Sequence, residues 1–343
     1  MNVPTDRHPR HHRQTLLSDV GVEGQATFRA SHVAVVGLGA LGGTIAEQLC
    51  RAGVGTLALI DRDLVEETNL QRQVLFATAD VGEPKAHAAA DRLAAIDPAA
   101  VLHAHAVDLH AGNVESLVAG ADVICDGTDN AETRYLLNDV AVKHWLPMVY
   151  GGCVGTEGRA LCMPRSHEAD DGPCLRCVFP EPPGPGELPT CDTAGVLGPA
   201  AAVTAAWQAG MTLQLLLGRA TPTLFRFDLW TGHARCTDAA ELRRDDCVCC
   251  GQRRFEFLER DPSDTVGLCG RNTMQVRPAT ARVDLDQLAV RWANLGDVER
   301  TPRLLRLDAD GKRVALFPDG RMLVTPARDE ADARSVYAKL VGT

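Results

Sequence analysis

The chain has 343 residues, and its 35 Lys and Arg against 45 Asp and Glu leave a formal charge of −10. That acidic balance argues against a nucleic-acid partner, and the length suits about two domains rather than one core. Twelve cysteines stand behind a basic N-terminus, MNVPTDRHPRHHRQ, that has no apolar segment; together they predict a cytoplasmic protein whose thiols serve a metal or chemistry, not disulfides.

In chain order, His8, His11 and His12 read as a solvated tail, and Arg13–Val20 as a short helix. Val33–Val36 is a β-branched strand, followed at once by Gly37-Leu38-Gly39-Ala40-Leu41-Gly42. Thr44–Ala52 follows as a helix closed by Gly53, and Thr56–Ile60 as a second strand ending at Asp61. In such a unit the glycines let the backbone approach a phosphate, and the helix N-terminus presents unpaired N–H groups to it. Asp61 stands 19 residues after Gly42, about where a ribose-binding carboxylate belongs, so NAD is the first expectation. After a loop, Lys85–Ile96 reads as a helix entered through Pro84. Strand Val101–Val107, helix Val114–Val118, strand Asp122–Cys125, the loop Asp126–Asn130 and helix Glu132–Trp145 complete the alternation. It predicts an α/β fold with a doubly wound, mainly parallel, Rossmann-like sheet, whose ligands bind beyond the carboxyl ends of the strands.

From Pro147 the pattern changes. PMVYGGCVGTEGRALCMP reads as two antiparallel strands that continue the sheet, and Arg165–Pro189 as a loop rich in Pro, Gly and acid. Pro199–Leu217 is apolar and uncharged over 19 residues. Thr204, Gln208, Thr212 and Gln214 make it a buried core or interface helix, not a membrane span. Leu224–Leu229 is another strand, and Cys247–Gly251 closes the region. The expected division is 1–254 as one nucleotide-binding domain, 255–264 as a linker, and 265–343 as a small α+β unit of unassigned role. In that unit, strands are expected at Met274–Val276, Arg303–Leu307, Val314–Phe317 and Met322–Thr325. Its helices are expected at Leu285–Leu295 and Glu330–Leu340, and Cys269 reads as a turn cysteine.

The residues after Asp61 redirect the nucleotide assignment. Asn69, Arg72 and Lys85 form a cationic set that a dehydrogenase does not need. Lys85 opens its helix, the end where a cation is unfavourable by roughly 0.3–1 kcal/mol, so an anion in front of that helix would remove the conflict. Arg72 and Lys85 together suit a triphosphate, with Asp129 completing the site through Mg²⁺. Two CxxC pairs, Cys174 with Cys177 and Cys247 with Cys250, have the spacing of a closed, structural zinc site. Cys249 leaves the second pair open to exchange with its neighbour.

Together these segments resemble the ThiF/MoeB/HesA family, bacterial relatives of ubiquitin-activating enzymes. The resemblance covers roughly Arg13–Gly251 and rests on RQTLL, GLGALG, IDRDLVEETNLQRQ, VGEPK, DGTDN, GPCLRC, TCDTAGVLGP and CVCCG, in that order. It implies that Gly37, Gly39, Gly42 and Asp61 hold ATP, Asp61 through the ribose. It implies that Asn69, Arg72 and Lys85 contact adenosine and phosphates, and that Asp129 and Asn130 complete the phosphate and Mg²⁺ side. Arg13 matches an arginine that reaches into the partner subunit's site in family homodimers. Cys174, Cys177, Cys247 and Cys250 match zinc ligands. Cys191 matches a cysteine that in some members forms a thioester or acyl-disulfide and that others lack; both roles stay open for it.

The implied reaction is adenylation. The C-terminal carboxylate of a ubiquitin-like or sulfur-carrier protein, normally ending Gly-Gly, attacks the α-phosphate of ATP; an acyl-adenylate forms and pyrophosphate leaves. That carboxylate is already ionised at neutral pH, so the site needs position and positive charge rather than a general base. The alternatives are adenylation of a tRNA base or a peptide, a non-catalytic partner subunit, and an NAD-dependent oxidoreductase. The segment after Phe255 does not resemble the rhodanese-type domain of longer members.

Overall fold

The computed structural model describes residues 9–165, 172–184, 191–260, 265–268, 273–277 and 282–342. Its described residues fall into two compact units, Met1–Arg260 and Asp261–Thr343.

The first unit opens with α1 (His12–Thr15) and α2 (Gly21–Ala30), then β1 (His32–Val36), α3 (Ala40–Ala52) and β2 (Thr56–Ile60). α4 (Lys85–Ile96), β3 (Val101–His105), α5 (Val114–Leu117), β4 (Val123–Asp126) and α6 (Ala131–Lys143) follow. β5 (Met148–Val154) and β6 (Glu157–Met163) form a hairpin. Then come α7 (Leu175–Val178), α8 (Cys191–Ala194), α9 (Gly198–Leu216), β7 (Thr223–Asp228) and β8 (His233–Asp238). One eight-stranded sheet results, in the order β3-β2-β1-β4-β5-β6-β7-β8. The first five strands run parallel, and antiparallel pairing begins between β5 and β6. The expected α/β class with an antiparallel continuation therefore holds. The chain moves outward from β1 through β2 to β3 and returns to β4 on the other side of β1. In open α/β sheets such a reversal leaves a crevice beyond the carboxyl ends of the flanking strands, here β1 and β4.

Alternation along the strands builds two cores. Val33, Val35, Leu57, Leu59, Val123 and Cys125 face α3, α4 and α9, while Ala34, Val36, Ile60, Ile124, Met148 and Leu161 face α5 and α6. α9 is the apolar run of the sequence. Its Thr204, Gln208 and Thr212 are fully buried against the sheet, and no helix among the described residues is long and apolar enough to cross a membrane.

Three local expectations need correction. α3 begins at Ala40, four residues early, because Gly42 and Gly43 lie inside its buried first turns instead of in a loop. The helix expected over Arg13–Val20 stops at Thr15, and the longer α2 follows it with little amphipathic pattern to announce it. His11 is not solvated: it is 4% exposed and lies beside Gly53. His8 and Cys269 lie outside the described residues.

The second unit is a six-stranded antiparallel sheet, β9 (Thr265–Leu268), β10 (Thr273–Val276), β11 (Asp297–Arg300), β12 (Leu305–Ala309), β13 (Lys312–Leu316) and β14 (Met322–Thr325). Its order is β11-β12-β13-β14-β10-β9. α10 (Leu285–Trp292) and α11 (Glu330–Leu340) pack on it around a core that includes Trp292, Leu316, Met322 and Val324. Asp284 and Asp329 cap these helices through their side chains.

Candidate active site

Three glycines hold the crevice closed at its floor. Gly37 has φ of +78°, which favours glycine. A Cβ on Gly42 would lie 1.6 Å from the Gly37 carbonyl oxygen, and one on Gly127 would lie 2.6 Å from that same oxygen. The turn after β1, the start of α3 and the loop after β4 thus touch backbone to backbone. Gly39 is the N-cap of α3 and supplies no side-chain cap, so the first amides of α3 face the crevice with none.

Asp61, at the carboxyl end of β2, is 8% exposed. One of its carboxylate oxygens accepts the Leu38 N–H at 2.6 Å, and the other accepts the Asp63 N–H at 2.7 Å. It therefore braces the glycine turn. Burial pushes its carboxyl above the usual range against the pull of Lys85. Lys85 is 6% exposed, and its Nζ donates to Asp63 at 3.1 Å. Burial disfavours its charge, but Asp63, Asp61 and Asp129 outweigh burial and hold the ammonium above its usual range. So the chain itself supplies an anion for the cation at the start of α4. Arg62 extends the network to Asp108 at 3.1 Å. Asp63, Arg62 and Asp108 belong to this ion-pair network, and sequence spacing does not single them out.

Asn69 ends a short 3₁₀ turn and is buried. Arg72, one turn on, is half-buried; its guanidinium donates to the Thr68 carbonyl at 3.1 Å and makes no ion pair among the described residues. The N-terminus of α9 abuts this turn: a Cβ on Gly198 would sit 3.1 Å from the Gln71 oxygen and 3.7 Å from the Arg72 Cα. Gln73 was also missed. It is 5% exposed, its Nε2 lies 3.7 Å from where a Gly39 Cβ would be, and its Oε1 has no hydrogen-bond partner among the described residues. Buried polar atoms are normally paired, so this oxygen beside the glycine turn is open to a donor from a bound group.

On the other wall, the fully buried Asp126 accepts from the Thr128 N–H at 2.9 Å and hydroxyl at 2.7 Å, and faces Arg134 at 3.6 Å. Gln208 of α9 donates to the Asp126 carbonyl at 2.8 Å. Asn130, not Asp129, caps α6 by accepting the Thr133 N–H at 2.8 Å. Asp129 is left exposed, with no hydrogen-bond partner among the described residues. Gly37, Gly39, Gly42, Asp61, Lys85 and Asp129 thus share one crevice, with the Arg72 turn packed against the helix that follows Cys191.

Two residues stand apart. Arg13 is exposed, and its neighbour Gln14 donates to the Ala52 carbonyl at 2.9 Å, at the far end of α3. A 13-residue helix is about 20 Å long, so Arg13 does not reach the glycine turn of its own chain. Cys191 opens α8, and its side chain lies outside the described residues. The backbone just beyond it is pinned to the β5–β6 turn: Gly155 N–H donates to the Gly195 oxygen at 2.9 Å, and Leu197 N–H to the Gly155 oxygen at 2.8 Å.

The four cysteines Cys174, Cys177, Cys247 and Cys250 are buried together, with Sγ atoms all within 4.8 Å of one another. Three of the separations are 3.9, 3.6 and 3.4 Å. A disulfide requires about 2.05 Å. Four sulfurs tetrahedrally placed about 2.3 Å from one ion sit about 3.8 Å apart, so the donor set fits a zinc ion. Cys249 is outside the set. Its Sγ donates to Asp139 at 3.3 Å and accepts from Asn138 at 3.2 Å, while Asn138 also accepts the Leu175 N–H at 2.8 Å. α6 thereby ties the two CxxC turns together from outside.

The model of the ThiF family matches residues 11–249. The sulfur carrier protein ThiS adenylyltransferase of Bacillus subtilis is 39% identical over 339 residues, covering 97% of this chain and 99% of that protein. The sulfur carrier protein adenylyltransferase of Thermus thermophilus is 39% identical over 271 residues, 76% of this chain and 96% of that one. Among solved structures, Escherichia coli MccB with MccA-N7isoASN superposes with a TM-score of 0.62 at 21% identity, over 73% of this chain and 75% of that one, a likeness of fold.

Proposed function

The chain belongs to the ThiF family, and from that premise we propose that it is an adenylyltransferase acting on the C-terminal carboxylate of a small sulfur-carrier protein. The observation that carries the reading is the crevice itself. A glycine turn at the N-terminus of α3, a buried Lys85 held charged by its acidic neighbours and an open Asp129 support it, together with an Arg72 that has no carboxylate partner among the described residues.

In this reading the carrier carboxylate attacks the α-phosphate of ATP, the bond to the β-phosphate breaks, and pyrophosphate leaves. Asp61 braces the turn and is the ribose contact, with Asn69 and Asn130 beside the adenosine and phosphates. Lys85 and Arg72 offset the charge that develops on the phosphates. Asp129 would hold Mg²⁺, which would supply positive charge against the phosphates. Lys85 exchanges its Asp63 contact for phosphate without changing protonation. Arg13 acts in trans, so the working species is a homodimer. Its distance from its own glycine turn supports that assignment. The carrier is ubiquitin-like and ends Gly-Gly, as the reaction requires a slender tail to enter the crevice. Cys191 is a candidate for a later acyl transfer. Cys174, Cys177, Cys247 and Cys250 would hold zinc in a structural role.

The test is pyrophosphate exchange into ATP, with the sulfur carrier ThiS as probe. Exchange should depend on both ThiS and Mg²⁺. Exchange that ignores the carrier would overturn the reading.

A further inference from the structure

Side chains alternate across a strand, so every second residue of β6, β7 and β8 stands on the sheet face that also bears α6. Strand register then aligns residues that the sequence scatters. Gly152 of β5 lies opposite Arg159 of β6, Arg159 opposite Arg226 of β7, and Arg226 opposite Arg235 of β8. Three arginines therefore stand side by side in one row. All three are exposed, and none makes an ion pair or hydrogen bond among the described residues.

Directly opposed residues have Cβ atoms about 4.5–5.5 Å apart, and like charges there destabilise a sheet. Exposed Glu157 stands on the same face one row on, yet no carboxylate pairs with the three arginines among the described residues. One row on, the Asp228 carboxylate is taken up by the hydroxyls of Thr156 and Thr231 and the N–H of Trp230. In the row on the other side, Tyr150 and Leu161 are buried in the core beneath α6. The arginines thus mark the line where the covered sheet ends.

The row is also placed by the crevice. Asp126 lies opposite Tyr150, and Gly152 is one row further on. The arginines begin level with the loop that carries Asp129 and run outward across the antiparallel strands. A protein whose C-terminal tail enters the crevice must rest its body beside it. We propose that Arg159, Arg226 and Arg235 dock an acidic face of the carrier protein whose tail is adenylated; this rests on the adenylation reading above. Two strand spacings make the row about 10 Å long. At physiological salt charges act over about 8 Å, so this row, not the net charge of the chain, governs the approach of a partner to this face.

The experiment uses the full chain with ThiS as probe, following ThiS-dependent pyrophosphate exchange at low and high salt. In the triple variant Arg159→Ala, Arg226→Ala, Arg235→Ala, the KM for ThiS is expected to rise at least tenfold at low salt. Its kcat and its KM for ATP should stay within twofold of wild type, and its salt dependence should flatten. Arg226→Glu alone should raise the same KM, and Arg226→Lys should restore it. Removing like charges should leave the melting temperature at or above wild type, which separates docking from folding. Wild-type chain without ThiS-dependent exchange overturns the adenylation reading and this proposal with it. Normal wild-type exchange with an unchanged KM for ThiS in the triple variant and in Arg226→Glu overturns the docking role alone. A fall in kcat with KM unchanged does the same.

Discussion

Gly42→Ala asks whether the three-glycine contact is structural necessity or coincidence. The added Cβ would lie 1.6 Å from the Gly37 oxygen, whereas carbon and oxygen settle at about 3.3 Å. The turn and α3 must part by about 1.7 Å. The Gly37 backbone cannot swing freely, because its N–H donates to the Ile60 carbonyl at 2.8 Å and its neighbour Leu38 is held by Asp61 at 2.6 Å. Overpacking a core costs about 1–3 kcal/mol. With so little room to relax, the upper end applies, about 3 kcal/mol. At roughly 2–4 °C per kcal/mol for a unit this large, the melting temperature should fall by about 6–12 °C. Calorimetry measures that fall, and pyrophosphate exchange should be lost with it, since the moved backbone is the turn proposed to hold the phosphates. Gly127→Ala strains the same oxygen from a Cβ at 2.6 Å, so the double variant should be less destabilised than the sum of the two. A Gly42→Ala protein that melts within a degree or two of wild type and exchanges pyrophosphate normally would refute the packing argument.

Three further outcomes are expected. Arg72→Ala and Asp129→Ala should each abolish exchange while leaving the melting temperature nearly unchanged; wild-type rates in either would remove these residues from the site. Gln73→Met keeps the shape and deletes an unsatisfied buried acceptor, worth about 1–3 kcal/mol. It should melt higher than wild type and exchange more slowly, and a variant that is no more stable would show that the amide already has its partner. Elemental analysis should find one zinc per chain, lost with much of the stability in Cys174→Ser; a stable metal-free wild-type protein would contradict the four-cysteine site.

How much of this was legible in the sequence depends on the range of each signal. Asp61, Lys85 and the four cysteines announce themselves by local spacing, and strands buried on both faces read as apolar runs. α4, β14 and α11 fall where periodicity and turn residues put them, over Lys85–Ile96, Met322–Thr325 and Glu330–Leu340. β8 was invisible because it is an exposed edge: HARCTD has no apolar face to alternate. α2 hid for a similar reason, burying only Gly24 and Phe28. Asp63 and Gln73 gain meaning only when the loop after β2 folds back over α3 and α4. The row of three arginines is a matter of register across three strands, and residues 159, 226 and 235 give no sign of it when read in line. Cys249 was ambiguous by spacing, and α6 resolves it by offering Asn138 and Asp139 to its sulfur.

The change from parallel to antiparallel pairing at β5 also divides labour along the chain. The groups assigned to the nucleotide, from Gly37 to Asn130, all precede β5, on loops and helix starts whose geometry the parallel half fixes. The face assigned to the incoming protein lies on β6, β7 and β8, after it. Substitutions that retune which acceptor is welcomed can therefore accumulate on hairpins that never touch the triphosphate. A lineage built on this sheet can diversify its clients while its chemistry stands still.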